Sequence, residues 1–134
     1  MGAAMRGGRW NSAGLRVVYA SAHYSLSILE VLANLTSNSI PPSFVRSSLT
    51  VAEGASAERI PVDTVPNWNT PNHPEATRYG DQWLRESRSL LLFVPSAVVE
   101  GIEENVLVNP QHPEFEAASA AEPVPIDWDL RLFT

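Results

Sequence analysis

An α+β fold, with mixed and largely antiparallel sheets flanked by helices, is predicted by three observations. The chain has 134 residues, 44% of them apolar, enough for one domain with its own core. Its eleven prolines and many short turn clusters argue against a helical bundle. The apolar spacing also changes along the chain. It reads strand, helix, two strands, helix, and then further strands.

Taken in order, residues 1–14 read as loop. "LRVVYASA" (15–22) is a β-branched and aromatic run, the pattern of a buried strand. In "HYSLSILEVLANLT" (23–36) the period changes. Tyr24, Ile28, Val31 and Leu35 recur at three and four and predict an apolar helix face, which "SNSIPPS" ends. "FVRSSLTVAE" (44–53) alternates and predicts a half-buried strand, and "AERIPVDTV" offers a short one. After the loop "PNWNTPNHP" (66–74), "EATRYGDQWLRESRS" (75–89) reads as a helix that Gly80 weakens at its middle. "LLLFVPS" (90–96) has strand length and stops at Pro95; "NVLVNP" (105–110) is another strand, and "PIDWDLRLF" (125–133) predicts a last one. No internal repeat is present beyond the echo of "NHPE" (72–75) in "QHPE" (111–114).

Charge and composition exclude several functions. The net charge is −6 and no basic run occurs, so direct nucleic-acid binding is not expected. All nine basic residues are Arg, which rules out Schiff-base chemistry and a lysine base. Without cysteine there is no disulfide, thiolate metal site or cysteine nucleophile. No run approaches membrane-spanning length, the first residues lack the apolar core of a secretory signal, and "MGAAMR" is a poor myristoylation match. A cytoplasmic location without membrane association is the expectation.

Several residues stand out chemically. In "GGRWNSAG" (7–14), glycines bracket Arg9, and a guanidinium flanked by permissive backbone suits a phosphate. The stretch lacks the spacing and lysine of a P-loop, and read alone it fits a mobile chain end better than a binding loop. Glu30 lies on the polar stripe His23, Ser27, Glu30, Asn34 and Ser37. That stripe is either a solvated helix face or the wall of a cleft, and periodicity does not separate the two. Tyr19, inside the first strand, suits a core tyrosine with a bonded hydroxyl or a ring stacked on a ligand. Ser96 closes "LLLFVP" without the surroundings of a hydrolase nucleophile. His23, His73 and His112 lack metal-ligand spacing, so no metal site is expected, and each His-Pro is read as shaping a turn.

Taken together these pieces resemble the RES-domain family of bacterial toxins. The landmarks run in order over nearly the whole chain: "GGRWNSAG", "VVYAS", "LSILEVLANL", "NW" before "RYGDQWL", "LLLFVPSAVV" and "ENVLVNPQHPEF". The resemblance implies one RES domain over 1–134, similar in fold to ADP-ribosyltransferases. It implies a toxin of a type II toxin–antitoxin system that degrades NAD by cleaving the nicotinamide–ribose bond, as a glycohydrolase or phosphorylase. The alternatives it leaves open are a protein ADP-ribosyltransferase and an inactive truncated domain that only binds its antitoxin. An Xre-type antitoxin is the implied partner. Matched to the family's motifs, Glu30 and Tyr19 are the catalytic candidates, and Arg9, Asn11, Ser12, Tyr19 and Ser96 the NAD-binding ones. Arg9 would hold the pyrophosphate, Glu30 the ribose, Tyr19 the nicotinamide, and Ser96 the cofactor from the opposite wall. One departure is expected. Full-length relatives carry a strand with its own arginine before the "GGRWN" loop. Here only "MGAAMR" precedes it, and Arg6 is no obvious match.

Overall fold

A four-stranded sheet carries the molecule, and its strand order explains where the site forms. The structure, a computed structural model, describes residues 7–35 and 44–133. In chain order the elements are β1 (Val18–Ser21), α1 (Tyr24–Ala33), β2 (Val45–Arg46), β3 (Leu49–Thr50), β4 (Ala57–Arg59), α2 (Pro74–Glu86), β5 (Leu91–Pro95), β6 (Glu104–Val108), β7 (Ser119–Ala120) and β8 (Val124–Pro125). Single 3₁₀ turns follow β5, β6 and β8. The main sheet runs β1-β6-β5-β4. Its β1–β6 and β5–β6 pairs are antiparallel, whereas β4–β5 is parallel and takes the long crossover that carries α2. The α+β class stands, with two α-helices among the described residues and mostly antiparallel pairing.

One face of this sheet is the core. Leu92, Val94 and Leu107 are at most 1% exposed and pack with Trp83 and Leu84 of α2, Trp10 of the first loop and Trp68 of the 61–73 loop. Residues directly opposite on paired strands share a face. Tyr19 opposes Leu107 and Ser21 opposes Asn105, so the core face ends in polar side chains where β1 meets β6.

Helix α2 begins with His73 as its N-cap and Pro74 in its first turn, the position proline tolerates best. It ends at Ser87, which takes the left-handed conformation with φ 48° while its N–H and that of Arg88 close on Leu84 and Trp83 carbonyls. Gly80 does not interrupt it. A Cβ there would collide with the Trp10 carbonyl oxygen, so this glycine is where the first loop lies directly on the helix. The His-Pro echo has a structural counterpart, since His112 caps the 3₁₀ turn Pro113–Ala117 by accepting from the Glu114 N–H at 3.1 Å.

Four expectations are corrected. The 15–22 run, expected as a buried strand, gives the edge strand β1, with Val18 and Tyr19 exposed. In α1 the buried residue is Leu26, and Tyr24 of the expected face is 54% exposed. The segment is apolar on several sides, so the docking contact rather than the period selects the face. Residues 44–53 form two short ribbons instead of one strand: β2 pairs with β8 and β3 with β7. The final run 125–133 contains only the end of β8, Pro125, and then a 3₁₀ turn at Leu130–Phe133. Asp129 causes the change, because its carboxylate accepts the Arg131 N–H at 2.9 Å and pairs with that guanidinium at 2.8 Å. The expectation about the family's leading strand concerns residues 1–6, which lie outside the described residues.

Candidate active site

The "GGRWNSAG" stretch is a tight turn stitched to three elements. Gly8 and Asn11 form an antiparallel bridge, with the Gly8 N–H 3.0 Å from the Asn11 carbonyl. Trp10 and Asn11 are 2% and 1% exposed, so the turn is anchored by burial. The Asn11 amide nitrogen donates to the Ser12 and Leu15 carbonyls, and its oxygen accepts the Tyr19 hydroxyl at 2.6 Å. The same hydroxyl accepts the Trp10 N–H at 3.1 Å. Gly8 is needed here, since a Cβ would lie 2.6 Å from that hydroxyl. Tyr19 as a whole is 38% exposed, while its hydroxyl is held between Trp10 and Asn11. Burial accordingly pushes its pKa up to about 12, against the opposing effect of the Trp10 N–H.

Arg9 projects from the turn. Its Nη1 donates to the Trp68 and Thr70 carbonyls, both at 2.8 Å, which ties the 61–73 loop to the turn. Nη2 and Nε make no hydrogen bond to the described residues. Burial lowers its pKa from the ordinary arginine value, and the Glu30 carboxylate, then Tyr19, act in the opposite sense.

Glu30 of α1 turns toward the sheet. Its Oε2 accepts from Ser96 Oγ at 2.7 Å and from Asn105 Nδ2 at 2.5 Å. Asn105 Oδ1 in turn accepts from Ser21 Oγ at 2.7 Å. Glu30 Oε1 has no hydrogen-bond partner among the described residues. Ser96 is 1% exposed and held at the end of β5 by its own backbone: its N–H donates to the Glu103 carbonyl, and its carbonyl accepts the Gly101 N–H. Glu30 therefore meets the end of the core face, while His23 and Asn34 of the same stripe are exposed.

These contacts bring Arg9, Tyr19, Glu30 and Ser96 into one neighbourhood. Asn11 braces it from inside the turn. Ser12 points elsewhere, donating through both its N–H (2.7 Å) and its hydroxyl to the Asp81 carboxylate of α2. It lines an open cleft of about 440 Å³ on that side, with His73, Thr77, Arg78 and Arg85 among the other walls. Glu30, Tyr19 and Ser96 do not line that cleft. Among the described residues no cluster of three His, Asp or Glu could hold a metal ion, and no helix is long and apolar enough to cross a membrane.

Sequence reasoning missed Asn105, Ser21 and Asp81. Asn105 had a signal, a polar residue near the start of an otherwise apolar strand. Asp81 had one too, because a Gly-Asp pair next to Trp83 and Leu84 marks a close approach on a buried helix face.

Comparison with known proteins identifies the lineage. A model of the RES domain matches residues 1–129. The chain belongs to the RES-domain family. It is 33% identical over 133 residues to Toxin Res of Yersinia enterocolitica, covering 98% of this chain and 87% of that protein. It is 35% identical over 123 residues to the Prs ADP-ribosylating toxin of Sphingobium sp. strain YBL2, covering 89% of this chain and 76% of that toxin. A further relative, Toxin Res of Photorhabdus laumondii, is 35% identical over 116 residues, covering 85% of this chain and 73% of that protein. The RES domain here thus has relatives named as toxins, and the region matched by the family model contains Arg9, Tyr19, Glu30, Ser96 and Asn105.

Proposed function

We propose that this RES domain is a toxin that degrades NAD by cleaving the nicotinamide–ribose bond, as a glycohydrolase or phosphorylase. The observation that carries the proposal is the Glu30 carboxylate: one oxygen is anchored by Ser96 and Asn105, the other has no hydrogen-bond partner among the described residues, and the Arg9 guanidinium acts on it from the neighbouring loop. Breaking the bond sends its electron pair to nicotinamide, which leaves neutral, and leaves positive charge on the ribose. A fixed carboxylate stabilises that charge or holds a ribose hydroxyl, and it costs no reorganisation at the moment of reaction. Water or inorganic phosphate then attacks the ribose carbon, with water giving up a proton.

The remaining roles follow from the same arrangement. Arg9 offers Nη2 and Nε to the anionic pyrophosphate, while Nη1 keeps the 61–73 loop in place. Tyr19 presents its ring toward the nicotinamide and uses its hydroxyl to keep the turn shaped. Ser96 contacts the cofactor from the end of β5, and Asn11 and Ser12 support the turn that carries Arg9. NAD is the substrate, no metal takes part, an Xre-type antitoxin is the protein partner, and the cytoplasm is the site of action.

Protein ADP-ribosylation is the second reading, and the name of the Sphingobium relative favours it. The first half of the reaction is shared and only the acceptor changes. One experiment tests both. Purified protein is incubated with NAD, with and without phosphate, while nicotinamide and ribosylated products are followed. Nicotinamide release that is abolished in Glu30→Ala supports the proposal. Label carried from NAD onto protein selects the second reading. Absence of release from soluble, folded protein rejects both and leaves a domain that only binds its antitoxin.

A further inference from the structure

We propose that Asn105 is the positioning residue of Glu30 and that Ser21 holds the other end of the Asn105 amide in place. The inference rests on the NAD-cleaving reading above. An asparagine side chain presents a donor at one end and an acceptor at the other, and turning it over exchanges them. With the oxygen toward Glu30, two acceptors would face each other. Here Ser21 Oγ donates to Oδ1 at 2.7 Å, which leaves Nδ2 to donate to Glu30 Oε2 at 2.5 Å. The relay starts from rigid ground, because Ser21 and Asn105 are directly opposite in the β1–β6 ladder. With Ser96 donating to the same oxygen from β5, Oε2 is held from two strands. Oε1 is thereby left to point at the ligand. Asn105 touches no reacting atom itself and acts through the direction it gives to Glu30.

The test is steady-state kinetics of nicotinamide release by wild type, Asn105→Ala, Asn105→Asp, Ser21→Ala and the Ser21→Ala/Asn105→Ala double variant. Losing a hydrogen bond to a charged group is expected to lower kcat about 10- to 100-fold in Asn105→Ala, with KM for NAD held within about 2-fold. Asn105→Asp, nearly isosteric but with no donor, is expected to fall at least as far. Ser21→Ala is expected to lose a smaller factor, and to cost nothing further in the Asn105→Ala background, because the two act along one chain. If an Asn105 variant fails to fold, the Ser21→Ala loss in kcat at unchanged KM still decides. Active wild type with unchanged kcat in Asn105→Asp and Ser21→Ala overturns this proposal and leaves the reaction standing. So does independent, multiplicative loss in the double variant. Wild type that releases no nicotinamide overturns the reaction, and this inference with it.

Discussion

Arg9 has two tasks at once, and substitution can separate them. Nη1 donates to two backbone carbonyls of the 61–73 loop, and the planar fork leaves Nη2 and Nε of the same group for another partner. In the proposed function the other nitrogens supply charge for the anionic pyrophosphate. Arg9→Lys keeps a charge and loses the fork, so NAD affinity should fall about 10-fold, and Arg9→Ala should lose more. Titration calorimetry with NAD checks this, and unchanged affinity in Arg9→Ala removes the residue from the pyrophosphate role. Tyr19→Phe isolates the hydroxyl. It leaves the buried Trp10 N–H and Asn11 Oδ1 each short of one partner, so the domain should lose about 1–3 kcal/mol in denaturant unfolding. If the ring alone matters, stability will be unchanged.

Gly80 shows at the scale of the element how tightly the first loop is seated. Propensity treats a mid-helix glycine as a weakness, and Ala would ordinarily improve the helix by about 1 kcal/mol. The Trp10 carbonyl reverses that sign. Because the obstacle is backbone, Gly80→Ala should destabilise by about 3 kcal/mol or more, seen as a lower unfolding midpoint with the m-value retained. A stabilised variant would mean that the loop does not rest on α2. The same position shows what the sequence could reveal. The elements were legible in their order, because β1, α1, α2, β5 and β6 each carry a long run of one period. Arg9, Glu30 and Ser96 stood out by their place in an ordered set of motifs, and the fold brings them into one neighbourhood. What stayed hidden depends on contacts between distant segments. The 44–53 stretch splits because its two halves take different partners, β8 and β7. Asn105 matters through a residue 84 positions away and another 75 away, which no local pattern encodes. The face of α1 was misjudged for the same reason: Leu26 and Glu30 lie one turn apart and dock together, while the apolar spacing pointed to Tyr24.

Across the whole molecule, an acidic chain of net charge −6 keeps its sheet edge in place by spending its few arginines on carboxylates. On the edge strand β4, Glu58 accepts from Arg88 at 2.7 Å and from the Tyr79 hydroxyl at 2.6 Å, which joins the edge to the end of α2. Arg59 reaches across β5 to Glu104 at 2.8 Å, its guanidinium 4.6 Å from the centre of the Phe93 ring. The Arg88 hydrogen bonds hold the Glu58 carboxyl below the usual carboxylate range, with burial opposing them. A carboxyl depressed in the folded state contributes its full share of stability above its unfolded pKa and loses that share as pH falls through the folded value. Stability should therefore be flat near neutrality and decline as pH drops below about 4.3, the ordinary glutamate value. Both partners are about 30% exposed, so screening by solvent limits the contribution of Glu58 to about 1 kcal/mol. Glu58→Gln keeps an acceptor for Tyr79 but loses the charge. It should lower the unfolding free energy at pH 7 by about that amount and flatten its decline between about pH 5 and 3. Added salt should narrow the gap between variant and wild type, since the pair is partly open to water. Urea unfolding at a series of pH values checks all three expectations. A Glu58→Gln curve that runs parallel to wild type at every pH would remove Glu58 from the acid response and assign that response to other carboxylates.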